Sequence, residues 1–263
     1  MKYTVLNWCG CMLGYSNRAP IESMDLFLWG TMTLLSEKLA HNDDAENEAV
    51  DCCPLCDSRD SEFMFWNFDR RYHRPGKFGT HRCTGCRLIR LTPRPTVEAI
   101  DRHYPEEYGA YDLAPINEKS DRKYLRNALR DSVLYSLGYN KNASFVLKSL
   151  SPLLARYFLD RATYGYNELF PRFVESGSAL EIGCGYGVFL AYLKRHGWKV
   201  AGVDLSPHAA SRTKEQFNID VFVGQVGEAP FKSESFDYVH LSHIVEHFFD
   251  PLQSLTQIFD LLK

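Results

Sequence analysis

The stretch Leu180-Glu181-Ile182-Gly183-Cys184-Gly185-Tyr186-Gly187 decides the fold. A short apolar run, Ala179–Ile182, ends in glycines at 183, 185 and 187, and Val188–His196 then continues at helical spacing. A dinucleotide fingerprint would need its third glycine at position 188, where Val stands, so that reading fails. What remains is an acid and three alternating glycines between a strand and a helix. Glycine lets the main chain turn sharply and approach a ligand closely, and the helix N-terminus behind it favours a carboxylate. Lys199–Val203 reads as a second strand ending at Asp204, which lies 17 residues after Gly187. An acid there can accept hydrogen bonds from both hydroxyls of a ribose.

The alternation continues outward. Ser206-Pro207 opens a helix, with Ser as N-cap and Pro at the first position. Asp220–Val223 and Phe236–Leu241 read as further strands, and Asp250-Pro251 opens a last helix. Strands alternating with helices predict an α/β fold with a Rossmann-like parallel sheet over residues 178–263.

The glycine turn, Val203-Asp204-Leu205-Ser206, Gly224–Phe231 and Ser235–Pro251 together resemble, in order and spacing, the successive motifs of class I S-adenosylmethionine-dependent methyltransferases. The resemblance implies a methyltransferase with sheet order 3-2-1-4. It assigns Glu181, Gly183, Cys184, Gly185, Tyr186 and Gly187 to the methionine portion of S-adenosylmethionine. Asp204 falls to the ribose, and Leu205, Gln225 and Val226 to the adenine neighbourhood. Gln225 departs from the family, which often has an acid there. Cys184 is expected to be a small turn residue, not a nucleophile.

Upstream, Cys53-Pro54-Leu55-Cys56 and Cys83-Thr84-Gly85-Cys86 form two knuckles separated by 26 residues. Four thiolates, Cys53, Cys56, Cys83 and Cys86, suit a closed, structural Zn²⁺ site, and a β-hairpin over Phe63–Phe78 would fill the gap. Redox or unliganded cysteines are the alternatives. Cys52 is spare, and His73 and His81 are not needed as ligands. Residues 70–94 hold eight Lys/Arg and no Asp or Glu. Such a run suits phosphates, of a nucleotide sugar or of RNA, or is a solvated face balancing the acidic linker.

Methyl transfer is an in-line displacement in which the protein aligns the partners and removes a proton where one must leave. The segment after the fourth strand, His243-Ile244-Val245-Glu246-His247, supplies the candidates: His247 as general base and Glu246 orienting it or binding substrate. The same residues spell H-x-x-E-H, an inverted zinc-protease pattern, which needs a helix that the methyltransferase frame does not provide. The knuckles, with Thr92-Pro93-Arg94-Pro95 and Tyr104-Pro105-Glu106-Glu107-Tyr108, further resemble bacterial methyltransferases with an N-terminal zinc-binding domain, including sugar C-methyltransferases acting on nucleotide-linked ketosugars. That resemblance implies Tyr104 and Tyr108 reaching the substrate, a small molecule. RNA methyltransferases, and a non-catalytic module binding cofactor or partner, are the other readings.

The expected organisation is an N-terminal extension and acidic linker (1–51), a zinc ribbon (52–95), a helical linker or cover (96–177) and an incomplete cofactor domain (178–263). Helices are expected near 118–137 and 143–160, and one beginning at Val97. A net charge of −3 gives no global field toward nucleic acid or membrane. Met24–Leu35 is too short to span a bilayer, so the cytoplasm is the expected location. The family usually continues past Lys263 with a Pro-Gly-Gly turn and three more strands. A shortened chain with an unprotected edge on the fourth strand is therefore expected. The oligomeric state is not legible.

Overall fold

The computed structural model describes residues 4–7, 46–70, 73–103, 134–139, 149 and 170–263. Tyr104 and Tyr108, and most of the helices expected near 118–137 and 143–160, lie outside them. In chain order the strands are β1 (Thr4–Asn7), β2 (Asn47–Glu48), β3 (Ser61–Asn67), β4 (Phe78–Cys83), β5 (Ile89–Leu91), β6 (Arg94–Pro95), β7 (Ser178–Ile182), β8 (Lys199–Asp204), β9 (Val221–Val223) and β10 (Tyr238–Ser242). The α-helices are α1 (Val188–Arg195), α2 (Pro207–Phe217) and α3 (Pro251–Leu261). The chain divides into two compact units, one holding residues 1–9, 109–248 and 253–263, the other 10–108 and 249–252.

The first unit is built on a parallel sheet of order β1-β10-β7-β8-β9. The segment β9-β8-β7-β10 is the 3-2-1-4 order expected. The outer edge of β10 is not open, contrary to expectation: β1 pairs with it in parallel, Thr4 opposite Val239 through Asn7 opposite Ser242. A four-residue strand is too short to show a period, which is why the sequence did not reveal it.

Strand alternation sorts the core onto two faces. Leu180, Ile182, Val203, Val239 and Leu241 pack with Ile258 and Leu261 of α3 and with Leu262. Ala179 and Tyr238 pack on the other face with Phe189, Tyr192 and Leu193 of α1, together with Trp198, Leu134 and Phe170. Leu134 and Phe170 belong to the region expected as a helical cover. Beside them the Tyr139 hydroxyl donates to the Pro171 carbonyl (2.9 Å) and accepts from Trp198 Nε1 (2.8 Å). Burial raises the Tyr139 phenol above its usual range. Ser206 caps α2 as its residue type suggests, its hydroxyl accepting from the Ala209 N–H at 3.2 Å.

In the second unit, β3, β4 and β5 form an antiparallel sheet in that order, with a bulge between Phe63 and Phe65, and β2 pairs with β6. The helix expected from Val97 is, among the described residues, a 3-10 turn at Ile100–His103.

Strands β7, β8, β9 and β10 of this sheet end along one edge, where Gly183 and Ile244 meet. Gly183 has φ +68°, and a Cβ built there would lie 2.1 Å from Ile244 Cδ1. Left-handed backbone costs a non-glycine residue roughly 1–2 kcal/mol and overpacking roughly 1–3 kcal/mol. Gly183→Ala is therefore expected to destabilise this unit by about 2–5 kcal/mol in equilibrium denaturation. Adding Ile244→Val, which removes the nearest atom, should make the double variant less destabilised than the sum of the two single changes.

Candidate functional site

The turn after β7 is shaped by three left-handed glycines, Gly183 (φ +68°), Gly185 (φ +51°) and Gly187 (φ +65°). Gly185 is held on both sides. Its N–H donates to Asp204 Oδ2 at 2.7 Å, and its carbonyl accepts from the Thr213 hydroxyl at 3.1 Å. The other oxygen of Asp204 accepts from the Ser206 N–H at 2.9 Å. Burial pushes the Asp204 carboxyl up, and the N–H groups of Ser206, Gly185 and Leu205 pull it back down. A carboxylate has about four lone-pair positions, so two accepted bonds leave room for more. Thr213 is fully buried in α2, and its methyl would lie 2.4 Å from a Cβ on Gly187. Sequence inspection missed Thr213, which is 28 residues away from the turn it supports.

Glu181 is buried and points to the α1 side of the sheet, where its Oε1 meets His240 Nδ1 at 3.1 Å. These two residues are register partners on β7 and β10. His240 is itself buried, with its ring 4.2 Å from that of Phe189. Burial raises the Glu181 carboxyl, opposed by His240, and Glu181 Oε2 has no hydrogen-bond partner among the described groups. The pairing of Glu181 with His240 could not be read from the sequence. Strand alternation places both side chains on one face, but only the register sets them opposite each other.

The Cys184 side chain is also internal, packed with Leu190 and Ile219, and burial drives its thiol far above the usual range. Only its backbone borders the turn, and the thiol is no nucleophile. The Tyr186 ring lies beside His208 and under the Arg212 guanidinium, 5.9 Å from the ring centre. Leu205, directly after Asp204, is 58% exposed. Gln225 gives its backbone N–H to the Glu228 carboxylate at 2.9 Å, and Val226 is buried in the α3-side core.

Beyond β10, a 3-10 turn (Val245–His247) brings His243, Glu246 and His247 to the surface of the strand-end edge. Glu246 Oε1 lies 3.6 Å from His243 Nδ1. Desolvation holds the His247 imidazole below its usual value, against the pull of Glu246. The short 3-10 turn offers no helix on which an H-x-x-E-H metal pair would stand. Among the described residues no metal-suited cluster of His, Cys, Asp or Glu occurs there.

The second unit holds the one such cluster. The Sγ atoms of Cys53, Cys56, Cys83 and Cys86 lie within 4.8 Å of one another, with Cys53–Cys86 at 3.5 Å and Cys56–Cys83 at 3.6 Å. A tetrahedral ion with thiolate bonds of ~2.3 Å spaces sulfurs ~3.8 Å apart, so the donor set fits one. The two knuckles are built alike. Asp57 N–H bonds the Cys53 carbonyl and Arg87 N–H bonds the Cys83 carbonyl, with Asp57 and Arg87 both left-handed. The Cys86 N–H, above all, draws the Cys83 thiol down to about 6. Cys52 stands outside the cluster.

The family model described as a methyltransferase domain matches residues 154–263. A ribosomal RNA small subunit methyltransferase C from Alcanivorax borkumensis is 38% identical over 50 residues, covering 19% of this chain and 15% of that protein. Among solved structures, a SAM-dependent methyltransferase from Aquifex aeolicus is similar with 20% identity and a TM-score of 0.32, over 34% of this chain and 52% of that one. A TehB-like SAM-dependent methyltransferase from Corynebacterium glutamicum gives 26% identity and a TM-score of 0.31, over 34% and 51%. The chain thus spans about half of each of these two structures and a small part of the curated relative. No described helix is long and apolar enough to cross a membrane. Residues 154–263 thus carry this chain's similarity to a methyltransferase domain.

Proposed function

We propose that this chain transfers a methyl group from S-adenosylmethionine to a small-molecule acceptor, a nucleotide-linked sugar or a related glycan precursor. The observation that carries the methyl-transfer part is the Asp204–Gly185–Thr213 arrangement at the strand-end edge of a matched methyltransferase domain. The residues fit the cofactor. The turn presents backbone without side chains at three positions, the first turn of α1 carries no acid, and Leu205 offers apolar surface beside Asp204. In this reading the α1 N-terminus receives the methionine carboxylate, the remaining lone pairs of Asp204 receive the ribose hydroxyls, and Leu205 lies against adenine. S-adenosylmethionine supplies an electrophilic methyl on a sulfonium.

His247 takes the acceptor proton, from a carbon beside a carbonyl or from a hydroxyl, and Glu246 orients it or binds the substrate, with His243 3.6 Å from Glu246. The ketosugar reading is supported by the resemblance carried by the cysteine knuckles with Thr92–Pro95 and Tyr104–Tyr108. A nucleic-acid acceptor is the second reading, favoured by the cation-only charge of residues 70–94. A structural Zn²⁺ on the four cysteines completes the proposal.

Three outcomes are expected. In calorimetric titration, S-adenosylhomocysteine binds the chain and Asp204→Ala weakens that binding at least about tenfold, the worth of one charge-assisted bond plus a loosened turn; equal affinity of the variant would remove Asp204 from the site. With an acceptor in hand, kcat/KM rises on the acid side through a pKa below 6.5, because a His247 held low is already neutral there; His247→Gln abolishes that limb and lowers kcat about 10²–10⁴-fold. Metal analysis of the purified chain finds zinc in a one-to-one ratio with protein, and Cys83→Ser loses it along with the β3–β5 sheet signal. Full zinc retention by that variant would refute the four-thiolate site.

A further inference from the structure

Strand β3 and the residue after it leave four aromatic rings in solvent within six residues. Phe63, Phe65, Trp66 and Phe68 are 50%, 46%, 47% and 41% exposed. β3 is also an edge strand, hydrogen-bonded to β4 alone. Simple alternation would put Phe63 and Trp66 on opposite faces, but the bulge after Phe63 restores them to the same one. Phe63 stands opposite His81, and Trp66 stands opposite Gly79, two residues earlier on β4. The rings of Phe63 and Trp66 are 5.2 Å apart, and His81 meets Phe63 edge-on at 5.4 Å. The result is one aromatic surface spanning two strands.

Cations accompany it. Lys77 Nζ sits 4.6 Å above the Trp66 ring and the Arg70 guanidinium 5.2 Å above Phe68. Across β4, Arg90 is the register partner of His81, and its Nε and Nη1 are shielded and have no hydrogen-bond partner among the described groups. Its Nη2 reaches only the Val50 carbonyl, at 3.5 Å. Residues 70–94 themselves contain no acid; Asp69 stands beside Arg70, and Glu62 on β3 is the register partner of Arg82.

We propose that this face of the second unit binds single-stranded nucleic acid, with bases stacking on Trp66, Phe63 and Phe68 and phosphates drawn to Lys77 and Arg70, while Arg90 adds positive charge behind them. The inference rests on the second unit alone and not on the methyl-transfer reading. Rings and cations in alternation are what a strand needs, since every base has a π-face and every linkage a charge. A purely apolar partner would bury Lys77 and Arg70 without a counter-charge. A lone nucleotide would leave most of the row unused. Phe63 and Trp66 contact each other and leave no slot between them for one base to be sandwiched.

The test is fluorescence anisotropy of a labelled 12-nucleotide oligouridylate titrated with the full chain at low and moderate salt. Saturable binding is expected, weakening steeply with salt. Trp66→Ala should weaken it about 5- to 100-fold. Lys77→Ala should weaken it less and lower the salt slope by about 0.7, the contribution of one phosphate contact on a single strand. Both side chains are solvent-facing, so zinc content and circular dichroism of the variants should match the parent. Four results would overturn the proposal: no saturable binding, equal binding by Trp66→Ala and Phe63→Ala, equal or tighter binding of a duplex of the same length, or displacement of the strand by uridine monophosphate at matched nucleotide concentration. The last would make the face a mononucleotide site.

Discussion

The carboxylate of Asp204 holds the strand-end edge together. It is a buried acid that would be costly to ionise, yet each oxygen accepts a backbone N–H, one from Gly185 and one from Ser206. The first bond fixes the crest of the glycine turn, and the second fixes the entry to α2. Thr213 on α2 then closes the loop by donating to the Gly185 carbonyl. A turn of left-handed glycines has many accessible conformations when free, and here both polar groups of its central residue are tied down. The Gly185 conformation, the start of α1 and the start of α2 therefore rise or fall together.

The parts of this site that are local in sequence were legible, and the parts that depend on distant pairing were not. Three glycines after an apolar run, Ser206 before Pro207, and Asp204 at the end of a strand each declare their geometry within a few residues. The cysteine knuckles do so as well, because the two-residue spacing within each pair matches the close approach of the four sulfurs. Thr213 looked like any polar residue of a surface helix, and only the packing of α2 against the turn buries it. β1 escaped notice because four residues cannot display a period. The common face of Phe63 and Trp66 escaped for the opposite reason: a bulge breaks the period of two on which strand reading depends.

The exposed rings and the glycine turn show two opposite uses of the same local rule. At the turn, side chains are absent so that neighbours such as Ile244 and Thr213 can pack into the space a Cβ would take. On β3, large side chains are kept where burial is not available, and a sheet of three short strands has little core in which to hide them. Exposed aromatic surface of this kind favours association, and the cations over the rings bias what associates toward polyanions.

The buried pair of Glu181 and His240 makes sense as a register device. Burying a carboxylate and an imidazole among Phe189, Tyr238 and Leu193 costs free energy that one 3.1 Å contact does not recover in full. A slip of β10 by one residue against β7 would set Glu181 opposite Val239 or Leu241, leaving both polar groups unpaired and turning the apolar set of β10 to the wrong face. The native register alone brings Glu181 Oε1 and His240 Nδ1 together. That register also fixes where β10 ends, and thus places Ile244 over Gly183 and the His243–His247 segment beside the glycine turn. A polar pair well below the surface in this way sets the distance between the glycine turn and the His243–His247 segment, and neither group needs to touch a substrate to do so.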